Sequence, residues 1–97
     1  MTVTKNQNGS TVILTVEGRL DTLTSPQLEK EIGEITNADS LEFDFSKLEY
    51  ISSAGLRLLL STHKNYAKKA GIVITNVNDT VLDIFDVTGF KDILNIK

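Results

Sequence analysis

The stretch "LEFDFSKLEYISSAGLRLLL" (Leu41–Leu60) passes from a strand pattern into a helix pattern. In "LEFDF", apolar and acidic residues alternate, which is typical of a strand buried on one face. The leucines that follow the two serines recur at helical spacing. After Gly71, "IVITNV" reads as a buried strand. A strand, a helix and another strand in this order predict an α/β crossover at the centre of the fold.

The predicted central helix has one apolar stripe and ends at Gly71. The residues of this stripe are Leu56, Leu59, Leu60, His63, Ala67 and Ala70. On the same helical wheel Leu58 falls on the opposite side, with Ala54, Ser61 and Asn65. We therefore expect Leu58 to be exposed near Ser53, where it could contact a partner protein.

The flanking sequence adds further elements on both sides. Two strand patterns flank Asn8-Gly9, a dipeptide suited to a hairpin turn. Thr24 or Ser25 caps the next predicted helix, and Asn78 or Asp79 caps a short later one. "DILNIK" is a candidate for a last short strand. The order ββαβαβα, with that strand added, predicts an α/β fold in which the helices pack on one face of a small mixed β-sheet, as a single domain over residues 1–97.

Composition narrows the classes of function. The 97 residues carry a net charge of -3 and contain no cysteine. An acidic domain without a basic stripe predicts binding to neither nucleic acid nor an anionic membrane. The absence of cysteine excludes disulfides and thiolate metal sites, and it fits a cytoplasmic protein. The N-terminal residues resemble no signal peptide, and no apolar run is long enough for a membrane span.

Catalytic machinery is also missing from the sequence. The only histidine, His63, lies ten residues beyond Ser53 on the same predicted helix. That spacing separates them by about 15 Å, too far for a nucleophile and its base. Four aspartates could in principle form an acidic metal site. They are scattered along the chain, and we interpret them as solvated or capping residues: Asp21, Asp44, Asp83 and Asp86. We predict that the chain is not an enzyme and binds no metal or cofactor.

Ser52 and Ser53 stand at the start of the central helix. A helix N-terminus has unpaired N–H groups, so we expect one serine side chain to cap it. The same helix end favours added negative charge, which makes the other hydroxyl a candidate for phosphorylation. The small residues Ala54 and Gly55 would leave that hydroxyl sterically open.

Three segments together resemble the anti-sigma factor antagonists, bacterial members of the STAS domain family. They are "DFSKLEYISSAGLRLLL", "EGRLD" at Glu17–Asp21 and "FDVTGF" at Phe85–Phe90. The resemblance covers essentially the whole chain. It implies a partner-switching protein whose unphosphorylated form binds an anti-sigma factor and so frees a sigma factor. Phosphorylation by that factor, often a GHKL-type serine kinase, abolishes binding, and a PP2C-type phosphatase reverses it.

Carried over by register, the resemblance makes Ser53 the phosphate acceptor. Asp21 matches a neighbouring aspartate, and Asp44 matches a polar position before the signature. We expect both carboxylates to shape an acidic pocket around Ser53, with Thr24, Ala54, Gly55 and Leu58 nearby. The family often has Asp where this chain has Ser52, which we assign to the cap and prefer less as an acceptor. The alternative within this fold is a STAS scaffold module that is never phosphorylated, in a transport or stressosome-like assembly.

Overall fold

A computed structural model describes all residues, 1–97, and contains six strands and three helices. The strands are β1 (Thr2–Asn8), β2 (Thr11–Leu20), β3 (Ser40–Asp44), β4 (Leu48–Ile51), β5 (Gly71–Thr75) and β6 (Asn95–Ile96). The helices are α1 (Ser25–Gly33), α2 (Ser53–Tyr66) and α3 (Asp79–Val87), and a 3₁₀ turn covers Phe90–Asp92. The predicted fold class is therefore confirmed, including the last short strand.

The sheet is mixed, with strand order β1-β2-β3-β5-β6. β1 pairs antiparallel with β2, and the remaining pairs are parallel. The two residues between β1 and β2 are Gly9 and Ser10, so the hairpin turn lies one residue later than expected. Gly9 there has φ 64°, a backbone conformation that favours glycine.

Strand β4 is an element that the sequence did not reveal. It pairs in parallel with the last part of β2, at Gly18–Leu20, just beyond the part of β2 that pairs with β3. The register shifts between Gly18 and Arg19. β2 thus carries β3 and then β4 along one edge, and β4 leads directly into α2.

Buried and partly buried residues alternate along the central strands. The buried positions are Val12, Leu14 and Val16 of β2, Leu41 and Phe43 of β3, and Ile72 and Ile74 of β5. This single buried face packs against the helices, whose largest contributions are Leu28, Leu59 and Phe85. Burial of apolar side chains at about 25 cal/mol per Å² is the main force that holds the helices on the sheet.

Helix α2 is shorter than its apolar stripe predicted. It ends at Tyr66, and a turn follows before β5. Ala67 and Ala70 are exposed in that turn, while Leu56 and Leu59 are buried as expected. Gly71 begins β5 with φ 83°. Ala67 and Ala70 extend the apolar periodicity of the sequence beyond the end of the helix, because alanine occurs as readily in a surface turn as in a core.

Candidate functional site

The two serines occupy different positions at the start of α2. Ser52 is the N-cap residue, with an extended backbone (φ -98°, ψ 178°), and Ser53 is the first helical residue. The N–H of Ser52 donates to the carbonyl of Leu20 at 2.9 Å, which attaches the helix start to the end of β2. Ser53 is exposed, whereas the Oγ atom of Ser52 is buried.

Neither serine side chain caps the helix, so that expectation was wrong. Ser52 has the N-cap backbone, but its Oγ atom has no hydrogen-bond partner. The first backbone bond of α2 runs from the Leu56 N–H to the Ser52 carbonyl, at 2.9 Å. The N–H groups of Ser53, Ala54 and Gly55 consequently have no acceptor on the protein. The hydroxyl that sequence reasoning assigned to the cap is buried instead of facing these groups.

Asp21 organises the turn between β2 and α1. Its carboxylate accepts hydrogen bonds from the N–H of Thr24 at 3.1 Å and of Leu23 at 3.0 Å. The hydroxyl of Thr24 accepts from the Asp21 N–H at 2.8 Å and donates to the Arg19 carbonyl at 2.7 Å. The bond from the Thr24 N–H is the main cause that lowers the pKa of Asp21 below its ordinary value. Since Leu20 holds Ser52, this ionised turn is adjacent to the start of α2.

Asp44 belongs to a separate hydrogen-bond network, so the expected pocket of two aspartates around Ser53 is not formed. Its carboxylate accepts from the Ser46 N–H and from the Asn76 amide, both at 3.0 Å. In the sheet Asp44 pairs with Thr15, whereas Ile51 pairs with Leu20. Thr15 and Leu20 are five residues apart on β2, which corresponds to about 16 Å along the strand. Sequence reasoning missed this separation because it treated the segment between Asp44 and the serines as a short connection.

The pKa of Asp44 reflects its own surroundings. Burial raises the pKa, but the hydrogen bonds from Asn76 and Ser46 outweigh this effect, and the pKa lies below its ordinary value. Asp44 therefore stabilises the end of β3 against the loop that follows β5. Its place in this structure gives it no contact with Ser53.

A groove of about 400 Å³ runs between α1 and α2 beside Ser53. It is lined by Thr22, Ser25, Pro26, Glu29, Ala54, Arg57, Leu58 and Ser61. Leu58 is only 9% exposed, so the expectation of an outward docking leucine was wrong. The helical wheel considered the sheet as the only covering surface, but α1 covers a second side of α2.

The exposed leucine at this end of the molecule is Leu23, which sequence reasoning did not identify. It lies in the turn between Asp21 and Thr24 and is 89% exposed. Its only signal in the sequence was a single large apolar residue within the polar turn "DTLTS". Leu23 and Asp21 thus place an apolar side chain and a carboxylate in the turn that follows Leu20, whose carbonyl accepts the N–H of Ser52 at the start of α2.

Gly55 is buried and allows α2 to approach the strands closely. A Cβ atom at this position would lie 2.7 Å from Cγ1 of Ile51 and 2.8 Å from Cγ of Leu20. Its smallness therefore serves packing beneath the helix and does not open the surface above Ser53, as the sequence had suggested. Ala54, which is half-buried, faces the groove instead.

The only histidine and the acidic side chains do not form a metal-ligand cluster near Ser53. His63 is half-buried, and its Nδ1 atom is buried without a hydrogen-bond partner. Nowhere in the molecule do three or more His, Asp or Glu side chains form a cluster that could hold a metal ion. None of the helices has the length and the apolar character that a bilayer span requires.

Comparison with known proteins places these features in a family. The family model of the STAS domain matches residues 2–97. The anti-sigma-B factor antagonist of Bacillus subtilis (strain 168) is 26% identical over 93 residues, which are 94% of this chain and 85% of the relative. An anti-sigma factor antagonist from Mycobacterium paratuberculosis has a crystal structure that superposes with a TM-score of 0.89, at 24% identity, over 98% of this chain and 83% of that one.

A further neighbour has been solved in two states. SpoIIAA, an anti-sigma factor antagonist, matches in its unphosphorylated form with a TM-score of 0.83 at 20% identity, over 99% of this chain and 88% of that one. The phosphorylated form of SpoIIAA from Bacillus matches with a TM-score of 0.75 at 19% identity, over 99% and 91%. The resemblance found in the sequence motifs is confirmed, and the chain belongs to the STAS domain family.

Proposed function

We propose that this protein is an anti-sigma factor antagonist and that phosphorylation of Ser53 abolishes its binding to the anti-sigma factor. The observation that carries the proposal is the exposed Ser53 hydroxyl at the first residue of α2, in a chain whose relatives are anti-sigma factor antagonists. That a neighbour has been solved with and without phosphate supports a modification that the fold tolerates.

Exposure supports Ser53 over Ser52 as the acceptor. A protein kinase must reach the hydroxyl, and the Oγ atom of Ser52 is buried. Phosphate on Ser52 would have to displace the packing around that atom. Phosphate on Ser53 would extend into solvent from a helix end whose free N–H groups favour negative charge.

The partner surface that we propose surrounds Ser53 and includes Leu23 and the mouth of the groove between α1 and α2. In the unmodified protein Leu23 can bury its exposed side chain against an apolar site of the anti-sigma factor. A phosphate adds a charge of about -1.5 to -2 beside the ionised Asp21. Desolvating these like charges within one interface lowers the affinity.

The reacting partners follow from the same proposal. The anti-sigma factor is a GHKL-type serine kinase that both binds this protein and phosphorylates it, and a PP2C-type phosphatase removes the phosphate. Ser53 contributes only the accepting oxygen, and the kinase supplies ATP and the catalytic groups. Such a cycle belongs in the cytoplasm, where sigma factors act.

The test is a binding titration of the cognate anti-sigma factor with the wild type and with Ser53→Ala, Ser53→Asp and Ser52→Ala. We expect the wild type and both alanine variants to bind within about threefold of one another, and Ser53→Asp to bind at least about tenfold more weakly. With kinase and ATP, intact mass should show one added phosphate on the wild type and on Ser52→Ala. Equal binding by Ser53→Ala and Ser53→Asp, or phosphate on Ser53→Ala, would contradict the proposal.

A further inference from the structure

Arg57 is a cation without a carboxylate partner, one helical turn after Ser53. The ion pairs of the structure join Lys5 to Glu31 and Glu34, and Arg19 to Asp21. Arg57 takes part in none of them and is exposed at the edge of the groove between α1 and α2. Its guanidinium is therefore available to a new anion.

The helix brings Arg57 towards the acceptor. Residues four apart on a helix lie on the same face, with about 5–6 Å between their Cβ atoms. Helical side chains also lean towards the N-terminus, so Arg57 leans back along α2 in the direction of Ser53. A phosphate on Ser53 would thus lie within reach of a guanidinium, which binds phosphate oxygens through two parallel hydrogen bonds.

The neighbouring charges leave the phosphate as the strongest acceptor for Arg57. Glu29 lines the same groove from α1, but it makes no ion pair with Arg57 within 4.0 Å. Asp21 is already engaged by the N–H groups of Leu23 and Thr24, and Arg19 lies 4.0 Å from it. A dianion at Ser53 would attract Arg57 more strongly than a single carboxylate does.

We propose that Arg57 is a positioning residue that holds the phosphate of modified Ser53 over the mouth of the groove between α1 and α2. This inference rests on the proposed function, because it assigns a holder to the phosphate of that switch. Modification then has two effects on the partner surface. It adds negative charge beside Leu23, and it withdraws the one free guanidinium of the groove from any acidic group of the partner.

The experiment places phosphoserine at position 53 by genetic encoding, so that no kinase is needed. The ³¹P chemical shift of the phosphate is followed against pH in the wild type, Arg57→Gln and Lys64→Gln. Lys64 lies on the same helix about 16 Å beyond Ser53, so its loss gives the same change in net charge without the contact. Arg57→Lys tests whether a positive charge without the guanidinium group is sufficient to hold the phosphate.

We expect the second pKa of the phosphate to rise by about half a unit or more in Arg57→Gln, because a nearby cation stabilises the dianion. Lys64→Gln should leave this pKa within about 0.1–0.2 units of the wild type, since the intervening solvent and salt screen the charge. Arg57→Lys should give an intermediate value. Equal pKa values in Arg57→Gln and Lys64→Gln would overturn the proposal. If the protein with encoded phosphoserine binds the anti-sigma factor as tightly as the unmodified protein does, the phospho-switch itself is contradicted. This outcome does not depend on the pKa of the phosphate.

Discussion

The absence of a Cβ atom at Gly55 determines how closely α2 packs against the strands. Side-chain atoms of Ile51 and Leu20 approach the position of its absent Cβ to 2.7 and 2.8 Å, so an alanine there must displace these side chains or the helix. Overpacking of this kind costs about 1–3 kcal/mol. We expect Gly55→Ala to lower the free energy of unfolding by that amount, as measured by urea denaturation.

Gly33→Ala is the matched control for this substitution. Gly33 ends α1, and a Cβ there would meet no atom within 4 Å. Alanine at that position should leave stability unchanged or raise it by up to about 1 kcal/mol. If both variants unfold at the same urea concentration, the close approach at Gly55 does not limit the packing of α2.

Residue identity alone predicted positions at the helix start better than it predicted contacts. Serine preferences correctly placed the N-cap at Ser52, because an N-cap requires a short polar residue with extended backbone. The side-chain hydrogen bond did not follow, since its direction depends on the packing around Ser52. For Ser53, exposure follows from its place as the first helical residue, but the free charge of Arg57 could be recognised only from the ion pairs of the whole structure.

At the scale of elements, α2 is covered by the sheet on one side and by α1 on another. Two leucines therefore differ in whether their removal should affect stability or binding. Leu58 is buried in the groove between α1 and α2, whereas Leu23 is 89% exposed in the turn before α1. We expect Leu58→Ala to lower the free energy of unfolding by about 2–4 kcal/mol through the cavity it leaves. Leu23→Ala should change stability by no more than about 0.5 kcal/mol.

Binding should show the opposite order for these two leucines. If the anti-sigma factor docks beside Ser53, Leu23→Ala weakens the complex at least about tenfold, as an exposed apolar anchor does. Chemical denaturation and a binding titration on the same two variants provide both measurements. A Leu23→Ala variant that binds as the wild type does would remove Leu23 from the interface.

The elements with strong internal periodicity were predictable, and the short ones were not. "LEFDF" alternates over five residues and became β3, and the hairpin and α3 were also recognised. β4 has only four residues, of which Leu48 and Ile51 are buried, so its period is indistinguishable from that of a loop. It exists because β2 continues past the end of β3 and offers unpaired backbone groups there.

At the scale of the whole molecule, the fold carries two aspartates whose pKa values lie below the ordinary value of 3.8. The folded state therefore binds fewer protons than the unfolded state in this range. The stability that each carboxylate contributes is fully present above pH 3.8 and is lost as the pH falls through the lower, folded-state pKa. We expect stability to decrease on acidification below about pH 4 for this reason.

Asp44→Asn tests the network in which the Ser46 N–H and the Asn76 amide donate to the Asp44 carboxylate. At pH 7 the variant should lose about 1 kcal/mol of unfolding free energy, because hydrogen bonds to a charged acceptor become bonds to a neutral one. As the pH falls through the folded-state pKa of Asp44, the wild type also becomes neutral at this position, and the difference should shrink. Asp83→Asn, at an exposed residue without a hydrogen bond or ion pair, is the control. A difference for Asp44→Asn that stays constant with pH would exclude this origin.

The arrangement of the whole sheet also explains why the sequence predicts Asp44 beside Ser53 although the fold separates them. In the sequence Asp44 and Ser53 are nine residues apart, a distance that a loop could easily close. In the fold β4 uses those residues to advance along β2, and this displaces Ser53 from Asp44. The separation of Asp44 from Ser53 follows only from the register in which β3 and β4 pair with β2.

The unpaired N–H groups at the start of α2 bear on the proposed modification of Ser53, because they determine how easily an enzyme could bind its side chain. Kinases and phosphatases must draw the acceptor side chain into their own clefts. At this helix end the first backbone bond is the one from Leu56 to Ser52, and no side chain fastens the turn in front of it. Peeling Ser53 away from the helix therefore breaks few bonds, at about 1 kcal/mol each. If Ser53 is the phosphate acceptor that we propose, its side chain can enter the cleft of the kinase or the phosphatase while the core beneath it stays folded.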